Sequence, residues 1–205
     1  MTRIMLIRHG VTQWNAERRL QGQSDVNLAP DGVHQARELA IHFPFSTVDA
    51  IYTSDLGRAK TTAEVIASKF NLEITLMPEF REINFGEWEG RKLEEVAKEQ
   101  PLEFEKFFKK PDMLLIKGGE TFAELQSRTM AALRKIVNAH QSGNQHIVII
   151  THGAAIRVIL AQILEMPLRK IWSIQQYNTA VNILRVDDGA LSVELMNSTH
   201  HLMRT

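Results

Sequence analysis

The sequence predicts an α/β fold in which helices cover both faces of a mostly parallel sheet. Three short apolar runs rich in β-branched residues are each followed by turn-forming residues and then by a segment with helical periodicity. These runs cover residues 3–7, 48–53 and 146–151. Continuous apolar runs of this length are typical of strands buried on both faces. Their alternation with helices predicts a layered arrangement of the two kinds of element.

The remaining elements follow from periodicity and turn chemistry. Helices are predicted over residues 32–42, 57–70, 93–108, 122–140 and 154–164. The fourth helix has a clear start, because Thr121 and Glu124 form a capping box ahead of its apolar positions. Residues 180–186 and 191–196 flank Asp187-Asp188-Gly189, which predicts a β-hairpin. The length and the absence of linkers or repeats predict a single domain, residues 1–205.

The composition excludes several classes of function. Lys plus Arg balances Asp plus Glu at 24 each, so no overall charge attracts the protein to nucleic acid or to a membrane surface. The lack of cysteine excludes disulfides, zinc–thiolate sites and thiol nucleophiles. No apolar run approaches the ~20 residues of a membrane span, and the first residues are apolar too briefly for a signal sequence. We therefore expect a cytoplasmic protein without nucleic-acid or membrane partners.

Basic side chains follow each of the three predicted strands. Arg8 and His9 follow the first strand, Arg58 lies just beyond the second, and His152 follows the third. Ligands of open α/β sheets collect at the carboxyl ends of the strands. If the strands are neighbours, the four side chains form a pocket suited to a phosphate dianion. A glycine follows each histidine, and we expect it to let the backbone approach the ligand closely.

A nucleophile and a proton donor would make this pocket catalytic. Histidine forms covalent intermediates, and its neutral imidazole exists at physiological pH. His9 as phosphoryl carrier is therefore the simplest route without a metal-activated water. Glu82 is a candidate proton donor, since bound phosphate disfavours the charged form of a nearby carboxyl while the arginines favour it. These residues predict phosphoryl transfer through histidine without a metal or another cofactor.

Five ordered motifs resemble those of the histidine phosphatase superfamily, which includes the cofactor-dependent phosphoglycerate mutases. They are LIRHG (6–10) with Thr12, Trp14-Asn15, Gln21-Gly22 and Asp25 behind it, SDLGRAKTTA (54–63), REI (81–83), GGET (118–121) and THG (151–153). One such tripeptide occurs by chance, but the ordered set extends from Ile4 to about Arg157. The resemblance implies a three-layer sandwich with a mostly parallel central sheet covered by helices, of the phosphoglycerate mutase-like type.

The resemblance also implies a role for each matching residue. His9 would carry the phosphoryl group, and Glu82 would protonate the leaving alcohol and then deprotonate water. The phosphoryl oxygens would be bound by Arg8, Arg58 and His152. The site for the phosphate or the rest of the substrate would be lined by Asn15, Gln21, Gly22 and Gly153. The expected partner is a small phosphorylated metabolite.

Departures from the family pattern favour hydrolysis. Ala154 stands where the mutases tend to carry Asn, and the compact stretch from Glu82 to His152 lacks their longer insertion. Ala29 replaces the usual Thr ahead of Pro30, which removes a helix N-cap at a typical cost of ~1 kcal/mol. We therefore predict a phosphatase, with two alternatives: a phosphoglycerate mutase-type phosphotransferase and a non-catalytic phosphate-binding module.

The aromatic segment around residue 107 has two interpretations. Phe104, Phe107 and Phe108 alternate with charged residues, a spacing typical of core packing. The resemblance instead places this segment over the substrate, where one of the three would contact the leaving group. The sequence does not name that group: phosphoglycerates, phosphoserine, sugar phosphates and α-ribazole phosphate all remain open.

The remaining histidines also have a simpler interpretation. Taken singly, His9 or His152 is as well explained by a structural hydrogen bond as by catalysis. His200 and His201 form a poor metal site, because successive residues point in different directions, and we expect both at the surface. The oligomeric state is open, and a homodimer through the hairpin edge or the region of Trp172 is one alternative.

Overall fold

The computed structural model describes residues 1–140 and 143–203. A six-stranded sheet forms its centre, in the order β3-β2-β4-β1-β5-β6. The strands are β1 (Thr2–Arg8), β2 (Ala50–Thr53), β3 (Ile74–Leu76), β4 (His146–Thr151), β5 (Val181–Asp187) and β6 (Ala190–Ser198). Strand pairs β1–β4, β4–β2 and β2–β3 are parallel, whereas β5 pairs antiparallel with β1 and with β6. The predicted mostly parallel sheet is confirmed.

Helices cover both faces of this sheet. They are α1 (Gln13–Ala16), α2 (Pro30–Ile41), α3 (Gly57–Phe70), α4 (Leu93–Glu99), α5 (Pro101–Lys109), α6 (Phe122–Ala139) and α7 (Gly153–Ile163). Short 3₁₀ turns span Pro78–Phe80, Gly86–Trp88, Pro111–Met113, Leu168–Ser173 and His200–Met203. Successive β1 residues face opposite ways, so Ile4 and Leu6 pack with α6 and α7, while Met5 and Ile7 pack with α2 and α3. The two cores make a three-layer sandwich.

The strand register brings the carboxyl ends of β1, β2 and β4 together. Arg8, the last residue of β1, lies opposite Thr151, the last residue of β4. Strand β2 ends one position earlier along β4. The next residues along the three strands are His9, Ser54 and His152, and they emerge at one edge of the sheet. Helices α3 and α7 begin at the same edge, so their free N–H groups also lie there.

The single helix predicted over residues 93–108 is wrong. Two helices occupy this stretch, α4 and α5, and they meet at Gln100 and Pro101. Proline has no N–H to donate and restricts the residue before it, so Gln100 leaves the helical region with φ −130° and ψ 60°. The chain therefore presents two short helices to the site, with Leu93 from α4 and Phe107 from α5.

Several local predictions are confirmed. Thr121 Oγ1 accepts from the Glu124 N–H, and the Glu124 carboxylate accepts from the Thr121 N–H, which completes the capping box. The β5–β6 hairpin turns at Asp188 and Gly189, whose φ values of 49° and 80° suit a two-residue turn. Ala29 is the N-cap of α2 and makes no side-chain hydrogen bond to it. The edge strand β3 is not predicted, because three residues give no period.

Candidate active site

His9 is the first residue after β1, and only 3% of it is exposed. Its Nδ1 lies 2.7 Å from the Gly10 carbonyl oxygen. Because a carbonyl only accepts, Nδ1 carries the proton and Nε2 carries a lone pair. Burial lowers the pKa of His9 well below its usual value, and the charges of Arg58 and Arg8 lower it further. His9 is therefore a neutral imidazole with a nucleophilic nitrogen.

His152 follows β4, and its ring centroid lies 5.1 Å from that of His9. Its Nε2 lies 2.9 Å from Ser54 Oγ, and that oxygen accepts from the Leu56 N–H. The Ser54 hydroxyl has no other acceptor among the described residues, so its proton goes to His152 Nε2 and the ring proton stays on Nδ1. Burial and then the charge of Arg58 lower the pKa of His152 well below its usual value. His152 is thus a neutral donor through Nδ1.

Arg58 lies in the first turn of α3 and is fully buried. Its Nη1 donates to the Ser24 carbonyl at 2.8 Å and its Nη2 to the Gly22 carbonyl at 2.6 Å. Burial lowers the pKa of Arg58 to about 10, so the guanidinium stays charged at physiological pH. A cation in the first turn opposes the helix dipole. An anion in front of the side chain would offset that cost.

Arg8, the last residue of β1, also lines the cavity. Its Nη1 donates to the Gln176 carbonyl at 2.7 Å. Burial lowers the pKa of Arg8, while the Glu82 carboxylate opposes that shift. The two arginines therefore bring two positive charges to a site whose histidines are neutral.

Four buried side-chain atoms have no hydrogen-bond partner in the described part of the chain, and all four belong to predicted site residues. They are Arg8 Nε, Gln21 Oε1, Arg58 Nε and His152 Nδ1. A buried polar group left unpaired costs about 1–3 kcal/mol, so folded proteins rarely retain several together. Three of these atoms are donors, and rotation of the Gln21 amide would supply a fourth. The arrangement is suited to an anion with several acceptor oxygens.

Glu82 lies in the same cavity, at the N-terminal end of α7. Its carboxylate accepts from the N–H groups of Ala154 at 3.1 Å and Ala155 at 3.2 Å, and from the Ile83 N–H at 3.0 Å. These donors fix the position of the carboxyl group without a salt bridge. A carboxyl held beside a phosphate site can pass a proton to, or take one from, a reacting oxygen.

The four predicted substrate-binding residues line this cavity too: Asn15, Gln21, Gly22 and Gly153. Asn15 uses Oδ1 to accept from the Thr12 N–H at 3.1 Å, which leaves its Nδ2 as a donor. The structure therefore brings together the nine residues that the motifs indicated, eight on the cavity wall and His152 against the ring of His9.

The glycines of the site serve different purposes. Gly22 has φ 53°, and a Cβ there would lie 2.0 Å from Glu89 Oε1, so this turn requires glycine. A Cβ on Gly10 would lie 2.4 Å from the Gly32 carbonyl oxygen. Gly10 is therefore required for its close packing against α2, and its expected approach to a ligand stays a prediction. Gly153 does face the cavity, beside the guanidinium of Arg8.

An apolar wall completes the cavity, whose volume is about 210 Å³. It is formed by Phe85, Leu93, Phe107, Phe108 and Trp172. Phe107 is buried at the base of this wall and Phe108 is exposed at its rim. Phe104 packs against the core and does not line the cavity. Two of the three predicted phenylalanines, Phe107 and Phe108, therefore line the cavity.

Sequence reasoning missed a set of polar residues that holds the ends of β1 in place. Asn178 Nδ2 donates to the His9 carbonyl at 3.0 Å, and the Thr179 N–H donates to the Arg8 carbonyl at 3.0 Å. His201, expected at the surface, is in fact 4% exposed and lies 2.9 Å from Thr179 Oγ1. These residues follow the last recognisable motif, and no local pattern marks them.

Two further observations concern the described residues alone. No three His, Asp or Glu side chains lie close enough together there to hold a metal ion. None of the helices there has the length and apolar character needed to cross a membrane.

The fold and the site define a class of protein: the phosphoglycerate mutase-like α/β proteins, with paired histidines and arginines at the carboxyl edge of the sheet. A sequence model of the histidine phosphatase superfamily (branch 1) matches residues 4–199. The chain belongs to this superfamily.

Curated relatives extend this result. The chain is 31% identical to phosphoserine phosphatase 1 of Hydrogenobacter thermophilus, over 98% of this chain and 95% of the relative. It is 33% identical to the metal-independent phosphoserine phosphatase of Arabidopsis thaliana, over 98% and 84% of the two chains. It is also 36% identical to the probable phosphoglycerate mutase GpmB of Photorhabdus laumondii, over 82% and 77%. The phosphatases among these relatives support phosphatase activity for this chain.

Solved structures agree with the fold. YhfR of Bacillus stearothermophilus superposes with a TM-score of 0.93 at 34% identity, covering 98% of this chain and 100% of that one. A mutant phosphoserine phosphatase of Entamoeba histolytica in complex with phosphoserine superposes with a TM-score of 0.87 at 33% identity, with coverage of 98% and 100%.

Proposed function

We propose that this protein is a metal-independent phosphatase that hydrolyses a small-molecule phosphate monoester through a phosphohistidine intermediate on His9. One observation carries the proposal: Arg8 Nε, Arg58 Nε and His152 Nδ1 are buried donors without a described partner, beside the neutral ring of His9. A phosphoryl group supplies acceptor oxygens for all three donors and an electrophilic phosphorus for His9.

The first step transfers the phosphoryl group to the protein. Nε2 of His9 forms a bond to phosphorus while the bond between phosphorus and the alcohol oxygen of the substrate breaks. Glu82 gives its proton to that oxygen, so the alcohol leaves neutral. The Nδ1 proton stays on the hydrogen bond to the Gly10 carbonyl, which holds the ring in place while Nε2 reacts.

The second step returns the phosphoryl group to water. The Glu82 carboxylate takes a proton from water as the water oxygen bonds to phosphorus, and the bond between phosphorus and Nε2 breaks. Inorganic phosphate leaves, His9 is again a neutral imidazole, and Glu82 is again protonated. One carboxyl group therefore serves as acid and then as base.

Charge stabilisation falls to the donors around the phosphoryl oxygens. Phosphoryl transfer depends mainly on positioning and on stabilising charge in the transition state. Arg58 is held by two carbonyls and Arg8 by one, so both forks are oriented before substrate arrives. His152 adds a neutral donor that the Ser54 hydroxyl fixes in one tautomer.

A second candidate is a phosphotransferase in which a substrate alcohol replaces water in the second step. The similarity to a probable phosphoglycerate mutase supports testing it. Interconversion of 2- and 3-phosphoglycerate with little release of inorganic phosphate would select this candidate. Hydrolysis of any phosphate monoester would exclude a non-catalytic phosphate-binding module.

The decisive experiment measures turnover and the intermediate together. Chelator-treated protein should hydrolyse p-nitrophenyl phosphate at an undiminished rate, and a rapid acid-free quench should trap protein-bound phosphate that is labile in acid and stable in base. His9→Ala should lose both signals. His34→Ala, at an exposed histidine of α2, is the matched control and should retain both. Loss of turnover on chelation would refute the metal-independent mechanism.

A further inference from the structure

Arg157 lines the cavity beside the phosphate site, one helical turn after Gly153 on α7. The position that a Cβ would take on Gly153 lies 3.0 Å from Arg157 Nη1 and 3.5 Å from Arg8 Nε. Arg157 Nε donates to the Ile174 carbonyl at 2.8 Å, and its guanidinium carbon lies 5.1 Å from the centroid of the Trp172 ring. These contacts fix the guanidinium plane and leave its terminal nitrogens without an acceptor in the described chain.

A second arginine on the cavity wall shows how a paired cation differs. Arg19 Nε donates to the Glu17 carboxylate at 2.5 Å, and its Nη1 donates to the Gly90 carbonyl at 2.9 Å. Its charge is therefore offset by a neighbouring carboxylate. The direct contacts of Arg157 in the described chain are a carbonyl and an aromatic ring, and neither carries a charge.

The three buried arginines of the cavity differ in what they face. Arg8 and Arg58 have unpaired Nε atoms at the site proposed for the phosphate dianion, whereas Arg157 has no hydrogen-bonded carboxylate partner in the described chain. Burial and then the nearby Arg8 lower the pKa of Arg157 to about 10, which still leaves it protonated at pH 7. A substrate with one more negative charge, close to the phosphate, would balance the site.

We propose that Arg157 binds a carboxylate on the leaving group, so that the preferred substrates are phosphate esters of hydroxy acids. The planar fork of arginine matches a carboxylate, and the free terminal nitrogens of Arg157 lie next to the phosphate-binding Arg8. The apolar wall packs against the carbon skeleton on the other side. This inference rests on the proposed phosphatase function.

Phosphoserine and phosphoethanolamine test the inference, because they differ only in the carboxylate. Wild-type protein should show at least a tenfold higher kcat/KM for phosphoserine. Arg157→Gln should lower kcat/KM for phosphoserine roughly 10- to 100-fold, the usual range for losing a charged hydrogen bond, with less than a threefold change for phosphoethanolamine. Arg157→Lys keeps the charge and loses the planar fork, so its ratio of kcat/KM for phosphoserine to kcat/KM for phosphoethanolamine should be intermediate.

The controls separate this inference from the proposed function. Arg19→Gln, at the paired arginine of the same cavity, should leave the substrate ratio unchanged. Equal losses for both substrates in Arg157→Gln, or equal wild-type kcat/KM values, would overturn the carboxylate role. Absence of p-nitrophenyl phosphate hydrolysis by wild-type protein would overturn the phosphatase itself. If Arg157→Gln fails to fold, inhibition of wild-type turnover decides: phosphoserine should inhibit at least tenfold more strongly than phosphoethanolamine, and equal inhibition refutes the inference.

Discussion

Two arginines beside Glu82 have opposite hydrogen-bonding states. Arg128, on α6, makes five hydrogen bonds: two to the Glu120 carboxylate and three to the carbonyls of Glu79, Arg81 and Glu82. Arg58, on the cavity side, donates to two carbonyls and leaves its buried Nε unpaired. Both side chains are charged and both hold loops in place. The difference is that one fork is filled by protein and the other is left open.

This difference separates structural from ligand-binding cations. A filled fork with its own carboxylate gains its stabilisation when the protein folds, whereas an open fork completes its hydrogen bonds only with a ligand. Arg128 therefore fixes the backbone that carries Glu82, and the open fork of Arg58 faces the cavity in which we propose that the phosphoryl group binds. Substitution of Arg128 should therefore mainly reduce stability, and substitution of Arg58 should mainly reduce activity.

The largest effect is expected at Arg58. Arg58→Met should lower kcat/KM for p-nitrophenyl phosphate by about 10³ or more, because removal of one preorganised donor from a transition-state site costs at least 10². The free energy of unfolding should change by less than about 1 kcal/mol, since the substitution also removes a buried unpaired charge. Calorimetry with and without inorganic phosphate checks the stability and the loss of anion binding. Phosphate should raise the Tm of the wild type and should not raise the Tm of the variant.

Arg128→Met should reverse the pattern. It leaves the Glu120 carboxylate and three carbonyls without their donor, so the free energy of unfolding should fall by about 2–4 kcal/mol. Urea denaturation measures the loss, and Arg37→Met at an exposed arginine of α2 is the control. A smaller loss than in Arg58→Met would break the comparison between filled and open forks.

Ser54→Ala should give a smaller effect on activity. The ring of His152 then loses the donor that keeps its proton on Nδ1, so part of the population adopts the wrong tautomer. We expect kcat to fall about tenfold, the lower end of the range for losing an outer-shell partner that fixes a histidine tautomer. Ser54→Thr should rescue activity, and ¹⁵N chemical shifts of His152 should report a mixed tautomer only in the alanine variant. An unchanged tautomer would contradict the assigned role.

The smallest effect is expected at His201, a buried histidine that is hydrogen-bonded to Thr179. Burial lowers the pKa of His201 to about 4, below the unfolded value of 6.5. Between these pH values the unfolded chain binds a proton at His201 that the folded chain does not. The contribution of His201 to the free energy of unfolding is therefore full above pH 6.5 and is lost as the pH falls toward 4. His201→Gln should reduce the stability loss between pH 6.5 and 5 by about 1 kcal/mol. His34→Gln should leave that loss unchanged.

The sheet and the cluster at its edge were accessible from sequence for identifiable reasons. Buried parallel strands give continuous apolar runs, and Arg8, His9 and His152 come directly after two of them, where the fold places ligands. Glu82 follows no such run, and its placement in the site depended on its position in the motif order. The sequence also contains the signal for the helix break at Pro101, because proline restricts the residue before it.

Other features have no local signal. Asn178 and Thr179 contact the backbone of Arg8 and His9 across the sheet, and only the pairing of β1 with β5 brings them there. Gly10 packs against the backbone of Gly32, and this contact depends on how α2 packs in the tertiary structure. Partners that are distant along the chain are set by tertiary structure, which a pattern of neighbouring residues does not encode.

The position of β1 has a consequence for how the chain reaches its native state. Strand β1 pairs with β4 and β5, so Arg3 meets His146 and Ile7 meets Val181. The strand that precedes His9, the proposed nucleophile, therefore cannot complete its pairing until most of the chain has been synthesised, and its apolar side chains stay uncovered until then. Contacts this distant along the chain slow folding and expose early intermediates to aggregation. We therefore expect the site at the carboxyl end of β1 to assemble only after β4 and β5 have been synthesised.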